Sequence, residues 1–343
     1  MEEATIHEIA QVLGLHSSTV SRALNDSNRV KPVTKERIRK TAAELGYRRN
    51  RMASNLRRKK SNTLGVIVPR ISRHFFSTAI AGIEEVAFRG GYNVMICQSL
   101  EKQDREKQII DNLMENRVDG LLISVSMQTM EGSHLAACAE KGIPLVFFDR
   151  RIADVACVGS VLIDDFQGGF KATEHLIKRG CKRIIHFTGA SHLEIYRKRC
   201  AGYKAALEKH GIPFQGDFVV ESGLMKEDGY RLMRERLGVL DGVDGIFSAN
   251  DFAALGAMRC LKEAGKTVPN DLALVGFSNE PTSEVIEPSL TTLDQSGMEM
   301  GRLACDLLLD HIASGDQISV TKTLMLNPKL IERDSTQAPQ EVK

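Results

Sequence analysis

The chain contains no tryptophan, and phenylalanine and tyrosine are scarce, so aromatic residues make up only 5% of it. Any ring that stacks on a ligand must come from those two residue types. No two glycines are separated by a single residue. That excludes the dinucleotide fingerprint and the kinase glycine loop, which need G-x-G for the backbone to approach phosphate. Neither G-x-x-x-x-G-K-[ST] nor H-E-x-x-H occurs, and the nine histidines are dispersed without ligand spacing. His175, in KATEHLIKRG, fits a helix rather than a metal site. The seven cysteines (Cys97, Cys138, Cys157, Cys181, Cys200, Cys260, Cys305) form no C-x-x-C pair, and their number is odd. They read as small buried apolar residues, not as a disulfide framework or zinc ribbon. No catalytic constellation, metal site or cofactor is expected. No run approaches the roughly 18 apolar residues of a membrane-spanning helix. The N-terminus, MEEATIHEIA, lacks the basic-then-apolar order of a signal peptide, so a cytoplasmic protein is expected.

What is present has a clear asymmetry. The 343 residues, 42% hydrophobic, suffice for one large core or two, plus a small module. Residues 1–60 carry 14 Lys/Arg against 6 Asp/Glu, an excess of eight. The whole chain is only +2, so the remainder is −6. A basic head on an acidic body points to a polyanion partner for the head alone.

The head reads as three short helices. TIHEIAQVLGL places Ile6, Ile9, Ala10 and Leu13 at helical spacing, and Gly14 ends the segment. HSSTVSRALN follows after a tight turn, begins at His16 or Ser17, and turns Val20 and Leu24 inward. The third helix runs from Thr34 as N-cap, with Ile38, Ala42 and Leu45 inward and Gly46 as stop. Two helices joined by a turn of about three residues form a helix-turn-helix, whose second helix enters the major groove. Ser17, Ser18, Ser21 and Arg22 lie opposite Val20 and Leu24. Short hydroxyls reach phosphates or base edges. An arginine can hold guanine O6 and N7 together, worth about 1–3 kcal/mol of discrimination. Thr19 either contacts phosphate or packs. The plain alternative is a polar face that meets only water. Next comes NRMASNLRRKK, with Met52, Ala53 and Leu56 on one helical face. A helix this short is marginal in water, so the segment is a solvated linker or a helix that needs a partner.

From residue 63 an apolar strand recurs every 25 to 30 residues: LGVIVP, YNVMICQ, DGLLIS, IPLVFFD, RIIHFTG, GIFSAN and ALVGFS. Helical periodicity follows each, which indicates parallel sheets in two α/β lobes. Crossovers between lobes are expected near Leu162–Asp165, Ser289–Thr292 and Thr321–Leu324. Polar groups close several strands: Asp149 and Arg150, Asn250 and Asp251, Ser278 and Asn279. Phe75 and Phe76 open the first body helix. Carboxylate, amide and guanidinium groups beside aromatic faces suit a sugar-type ligand. The plain alternatives are that Asp149 and Asp251 cap helices, Asn250 orders a turn, Arg199 pairs with Glu194, and Phe76 is core. Phe88, Phe170 and Phe187 are expected in the core.

TIHEIAQVLGLHSSTVSRALN, followed by RVKPVTKERIRKTAAELGYRRN, resembles the DNA-binding domain of the LacI/GalR family of bacterial transcription regulators. The resemblance continues through LGVIVP, DGLLI, IPLVFFDR, GGFKATEHLIKRG, SANDFAALGAMR, PNDLALVGF and PSLTTLDQ to about residue 333. It implies an α/β fold: an N-terminal helix-turn-helix domain plus a two-lobed, type I periplasmic-binding-protein-like core with parallel sheets. The implied domains are a head at 1–48, a hinge helix and linker at 49–61, a core at 62–333 and a disordered tail at 334–343. The first lobe takes about 62–162 and 292–322, the second about 163–291 and 323–333.

In the head, the resemblance assigns DNA contacts to Thr5, Ser17, Ser18, Thr19, Ser21, Arg22, Asn25, Arg29 and Tyr47. In the hinge it assigns them to Asn50, Arg51, Ala53, Asn55 and Leu56, with Leu56 wedged into the minor groove. Effector contacts fall on Phe75, Phe76, Asp149, Arg150, Arg199, Asn250, Ser278 and Asn279. Arg199 opens an Arg-x-x-Gly-aromatic signature. Two positions depart from the family pattern. His16 stands where the family has a serine N-cap, and if Ser17 caps instead the register of the recognition helix shifts. The Gly-Phe-Asp-Asp turn reads Gly-Phe-Ser-Asn, which removes a carboxylate at Ser278. Arg199, with Arg150 or Arg151, would then favour an acidic sugar or sugar phosphate. The implied function is an allosteric repressor. It is a homodimer on pseudopalindromic double-stranded operator DNA, controlled by a small sugar-like effector, with no cofactor, enzyme activity or membrane. QAPQEVK carries no leucine heptad for a tetramerising coil. The alternatives are a nucleobase- or nucleoside-responsive regulator of the same fold, or a stand-alone solute-binding protein; the fused helix-turn-helix argues against the latter.

Overall fold

The computed structural model describes residues 4–47, 60–153, 155–237, 242–315 and 321–337. The chain divides into two compact units, Met1–Ser61 and Asn62–Lys343.

The first unit holds α1 (Ile6–Leu13), α2 (Ser17–Leu24) and α3 (Pro32–Glu44). Thr5 Oγ1 accepts from the Glu8 amide at 3.3 Å, and the Glu8 carboxylate accepts from the Thr5 amide at 2.6 Å. This reciprocal cap satisfies two orphan donors at the start of α1. Gly14, at φ 62°, closes that helix in the left-handed region. His16, not Ser17, is the N-cap of α2. Its Nδ1 accepts from the Ser18 amide at 3.4 Å and sits 3.0 Å from Ser18 Oγ. A ring nitrogen thus substitutes for a serine oxygen, and the helix register does not shift. The third helix starts at Pro32 rather than after Thr34. Proline suits the first helical position, where its missing N–H costs nothing and its φ is already helical. Ile9, Ala10, Val20, Ala23, Val30, Ile38 and Ala42 form the core of this unit. Ala23 is fully buried while Leu24 is only half-buried, and Leu45 is exposed beyond the last turn of α3.

The second unit alternates strand and helix. In order come β1 (Thr63–Val68), α4 (His74–Arg89), β2 (Asn93–Gln98), α5 (Gln103–Glu115), β3 (Gly120–Ile123), α6 (Ser133–Glu140), β4 (Leu145–Phe148) and β5 (Gly159–Ile163). Then follow α7 (Asp165–Lys178), β6 (Ile184–Thr188), α8 (Glu194–Lys209), β7 (Val219–Glu221), α9 (Lys226–Arg236), β8 (Gly245–Ser248), α10 (Asp251–Glu263), β9 (Ala273–Val275) and α11 (Thr282–Val285). The chain ends with β10 (Thr292–Asp294), α12 (Gly297–Ser314), β11 (Lys322–Leu326) and β12 (Lys329–Ile331). The first lobe is built on a parallel sheet ordered β11-β5-β4-β3-β1-β2, the second on a parallel sheet ordered β7-β6-β8-β9. An antiparallel pair, β10-β12, accompanies them. Leu64, Val66 and Val68 of β1 pack with α4 and α12, while Ile67 faces α5 and α6. Burial on both faces explains why the strands read as unbroken apolar runs.

Three expectations need correction. The second and third crossings fall at 294–297 and 326–329, later than 289–292 and 321–324. The reason is pairing: β10 stays with β12, and β11 holds register with β5 through Leu326↔Ile163 before the chain leaves the sheet. The tail does not begin at 334. Ser335 Oγ donates to the Leu274 carbonyl at 2.6 Å and accepts from the Thr291 amide at 2.9 Å, and Thr336 is buried beside it. Residues 338–343 lie outside the described residues. Phe88, finally, is 75% exposed on the outward face of α4, and Phe170 is half-buried, whereas Phe187 is core.

Glycines set the helix packing. Three helix pairs (α4 with α12, α7 with α8, α9 with α10) each bring two glycines together: Gly82 and Gly301, Gly169 and Gly202, Gly229 and Gly256. In every pair, a Cβ on one glycine would strike the carbonyl three residues before the partner glycine. Those carbonyls belong to Met298 and Ala79, Arg199 and Phe166, and Ala253 and Lys226. Only glycine lets two helix backbones touch in this way.

His186 is sealed between Tyr203 and Phe247, with ring centroids 5.3 and 4.4 Å away. Burial pushes its pKa down to about 4, although the Phe247 carbonyl 3.1 Å from Nδ1 pulls the other way. The unfolded chain therefore takes up a proton near pH 6.5 that the folded chain refuses until about 4, so this residue lowers stability as pH falls through that window. In chemical denaturation between pH 7 and 4.5, His186→Gln should lose less stability on acidification than the parent protein. Parallel curves would show that the imidazole is not held neutral.

Candidate effector cleft and DNA-reading face

On α2, Ser18 and Arg22 are exposed and stand four residues apart, which places them on one helical face. Ser17, Thr19 and Ser21 are half-buried. Among the described residues, the Arg22 guanidinium makes no hydrogen bond or ion pair; it is a free fork on a short helix. Arg29 is exposed, and Tyr47 packs against the core of the head. Thr5 and Asn25, both exposed, also have local work: Thr5 caps α1, and Asn25 Nδ2 donates to the Ser21 carbonyl at 2.7 Å. Asn50, Arg51, Ala53, Asn55 and Leu56 lie outside the described residues.

In the core, a cavity of about 270 Å³ opens where the carboxyl ends of both parallel sheets meet. Arg70, Arg73, Phe75, Phe76, Glu101, Met127, Asp149 and Arg150 line the first-lobe side. Tyr196, Arg199, Met225, Asn250, Phe252, Ser278 and Glu280 line the other, with Gln295 at a crossing. Seven of the eight residues expected from the sequence are here. Asn279 is not: it lines a neighbouring cavity, and its amide accepts from Arg333 at 2.8 Å and donates to Asp294 at 3.4 Å. Glu101, Asp149, Leu224 and Ser278 all hold positive φ without being glycine. Such backbone strain clusters where side chains are held for a ligand.

Most charges in the wall are matched in pairs. Arg150 Nη1 donates to Glu101 at 2.9 Å, and its Nε is 3.6 Å from Asp149. Burial opposes charge on Arg150, but Glu101 more than compensates and raises its pKa. Asp149 accepts from Ser124 Oγ at 3.2 Å; burial raises its pKa against the pull of Arg150. Arg199 Nε donates to Asp165 at 2.8 Å, Nη1 donates to the Ala249 carbonyl at 2.8 Å, and Cζ lies 3.6 Å from the Phe277 ring centroid. Burial pushes the Asp165 carboxyl up to about 7 despite that guanidinium. Glu194 does not engage Arg199; it binds Arg151 at 3.0 Å and Lys198 at 2.8 Å. Asn250 caps α10 through the Ala253 amide at 2.9 Å and donates to the Leu224 carbonyl at 2.9 Å, so it orders the turn as well as lining the cavity. Asp251, fully buried beneath, accepts from Thr292 Oγ1, Ser283 Oγ and the Glu280 amide at 2.6 to 2.9 Å. Contacts that cross the cleft include Arg151 to Glu194, His192 Nε2 to the Met127 carbonyl at 2.7 Å, Arg73 to the Met225 sulfur at 3.1 Å, and Arg73 onto Phe252.

Two family models cover the chain. "Bacterial regulatory proteins, lacI family" matches residues 5–50, and "Periplasmic binding proteins and sugar binding domain of LacI family" matches residues 61–330. The chain belongs to the LacI family. As a LacI-family protein it is a DNA-binding transcriptional regulator with a ligand-binding core, and not an enzyme. Catabolite control protein A of Priestia megaterium is 32% identical over 334 residues, 97% of this chain and 99% of that one. The transcriptional repressor CytR of Escherichia coli K12 is 32% identical over 340 residues, 98% of this chain and 97% of that one. Among solved structures, the lac repressor dimer bound to operator and the anti-inducer ONPF is 27% identical. It superposes with a TM-score of 0.85 over 98% of this chain and all of that one. A CelR–cellobiose complex, 28% identical, gives 0.73 over 97% of this chain and all of that one. No helix among the described residues is long and apolar enough to cross a membrane.

Sequence reasoning missed Arg70, Arg73, Glu101, Tyr196, Phe252 and Glu280. For Arg73 a signal existed: PRISRHFF puts two arginines between an apolar strand and a phenylalanine-led helix. Glu280 directly follows the Gly-Phe-Ser-Asn turn and returns a carboxyl to the wall that lacks one at Ser278.

Arg22→Ala should weaken operator binding and relax base choice at one symmetric position, by about 1–3 kcal/mol; a base-substitution series measured by gel shift checks this. Arg199→Ala strips a buried carboxyl of its cation. The expected cost is about 3 kcal/mol of stability, seen as a lower urea midpoint. Adding Asp165→Asn should recover part of the loss.

Proposed function

We propose that this regulator is an allosteric repressor, acting as a cytoplasmic homodimer on a pseudopalindromic operator. A small sugar-like molecule in the interlobe cleft sets its operator affinity. The observation that carries this reading is the cleft wall itself. Rings of Phe75, Phe76 and Phe252 stand among hydrogen-bonding groups at strand ends, in a volume near the lower end of the roughly 300–1,000 Å³ typical of small-molecule sites. The likeness to structures with cellobiose and with ribose bound supports the same chemical class. On this reading Ser17, Ser18, Thr19, Ser21 and Arg22 meet the major groove. The hinge between head and core, residues 49–61, pairs with its twin and sets Leu56 in the minor groove. A ligand that favours one lobe arrangement biases whether the hinge helix forms. A preference of about 2.7 kcal/mol suffices for a ~100-fold change in occupancy.

The test is selection of bound duplexes from a random library by the purified full chain, alone and with pooled sugars. A two-fold symmetric motif is expected. An asymmetric motif, or none under either condition, counts against the homodimeric repressor. Leu56→Ala should reduce the bend of the selected duplex, measured by fluorescence transfer between its ends, while the protein stays dimeric.

A further inference from the structure

Arg150, Arg151 and Arg199 each have a carboxylate within 3.0 Å. Arg73 does not. Among the described residues no carboxylate lies within 4.0 Å of Arg73 or of Arg70, both half-buried at the carboxyl end of β1. The one hydrogen-bond acceptor on the Arg73 guanidinium among those residues is the Met225 sulfur at 3.1 Å, and a thioether is a weak acceptor. Phe252 covers one face of the guanidinium, with its centroid 3.6 Å from Cζ. The N–H donors lie in the guanidinium plane, so stacking leaves them available.

The surroundings disfavour this cation. Burial lowers the Arg73 pKa, and Arg70 acts in the same sense against the pull of Glu280. Glu280 is a poor counter-ion because it stays beyond 4.0 Å of the guanidinium, whereas Asp165 reaches Arg199 at 2.8 Å; burial, then the charge of Asp251, also pushes the Glu280 carboxyl up to about 7. Arginine does not release its proton in a protein, so the site gains most from an anion placed against it.

We propose that the cleft ligand carries an anionic group, a carboxylate or a phosphate, and that Arg73, flanked by Arg70, is its anchor. This rests on the cleft being the effector site. It moves anion recognition away from Arg199, Arg150 and Arg151, whose charges are already met. The stack on Phe252 joins the anchor to the second lobe, so an anion at Arg73 binds where the two lobes touch.

Thermal stabilisation of the full-length protein tests this with four probes: inorganic phosphate, D-glucose 6-phosphate, D-glucuronate and D-glucose. At least one anion should stabilise saturably and at least ~10-fold more tightly than D-glucose. The two sugar anions separate phosphate from carboxylate. Arg73→Met, which keeps an apolar side chain on Phe252, should weaken that anion on the order of 100-fold. Arg73→Lys should fall between, and the unliganded melting point of each variant reports folding. The proposal is overturned if no anion stabilises, if D-glucose binds as well as the anions, or if Arg73→Met leaves anion binding unchanged. D-glucose binding that is lost in Phe76→Ala would keep the cleft reading and sink the anion anchor. Binding indifferent to both Phe76→Ala and Arg73→Met would sink the cleft reading itself.

Discussion

The ion pair between Arg199 and Asp165 organises the second lobe. Asp165 begins α7, Arg199 lies inside α8, and the guanidinium also holds the Ala249 carbonyl after β8 and stacks on Phe277 after β9. One side chain therefore ties two helices and two strand ends at the floor of the cleft. It can do so only because Gly169 and Gly202 let α7 and α8 close backbone to backbone. A charge pair this deep is weak as a source of net stability, since desolvation opposes attraction. Its value is geometric: it permits one arrangement of these four elements and penalises others.

The remaining walls follow the same logic with different parts. Arg150 is fixed between Glu101 and Asp149, and Glu101 also accepts from the Met127 amide at 2.7 Å. Glu106 is buried yet held below the usual carboxylate range: burial opposes its charge, but His134, Ser126 and Thr129 bond it strongly enough to win. These networks fix the loops after β2, β3 and β4. Against so much matched charge, Arg73, facing a thioether, and its neighbour Arg70 have no carboxylate partner among the described residues.

Much of the architecture was legible because it rests on local rules. Strands buried on both faces must be continuously apolar, and a helix stopped by Gly14 announces its end. The crossings were misplaced because no local feature of Thr292–Asp294 or Lys322–Leu326 states which sheet each will join; pairing partners decide it. The cleft was legible from polar residues at strand ends. Its charge balance was not, because the partners are remote: Asp165 is 34 residues from Arg199, and Glu101 is 49 from Arg150. Arg73 was not singled out, because nothing local to PRISRHFF states that its guanidinium would lie beside Met225 and Phe252, more than 150 residues away in sequence, with no carboxylate partner among the described residues.

The paired glycines have a mechanical meaning. Gly169, Gly229, Gly256 and Gly301 lie in the cleft-proximal halves of their helices and Gly82 and Gly202 near the middle of theirs, and each sets its helix against its mate where no side chain intervenes. Backbone contact this close resists sliding and rolling of the two helices and leaves a joint tilt as the softer motion. The α4 helix has 16 residues, about 24 Å of rigid rod. A tilt of about 5° at its cleft end displaces the far end by about 2 Å. The molecule thus carries three stiff helix pairs that begin at the cleft, and small adjustments around a ligand are passed toward the opposite surface rather than absorbed.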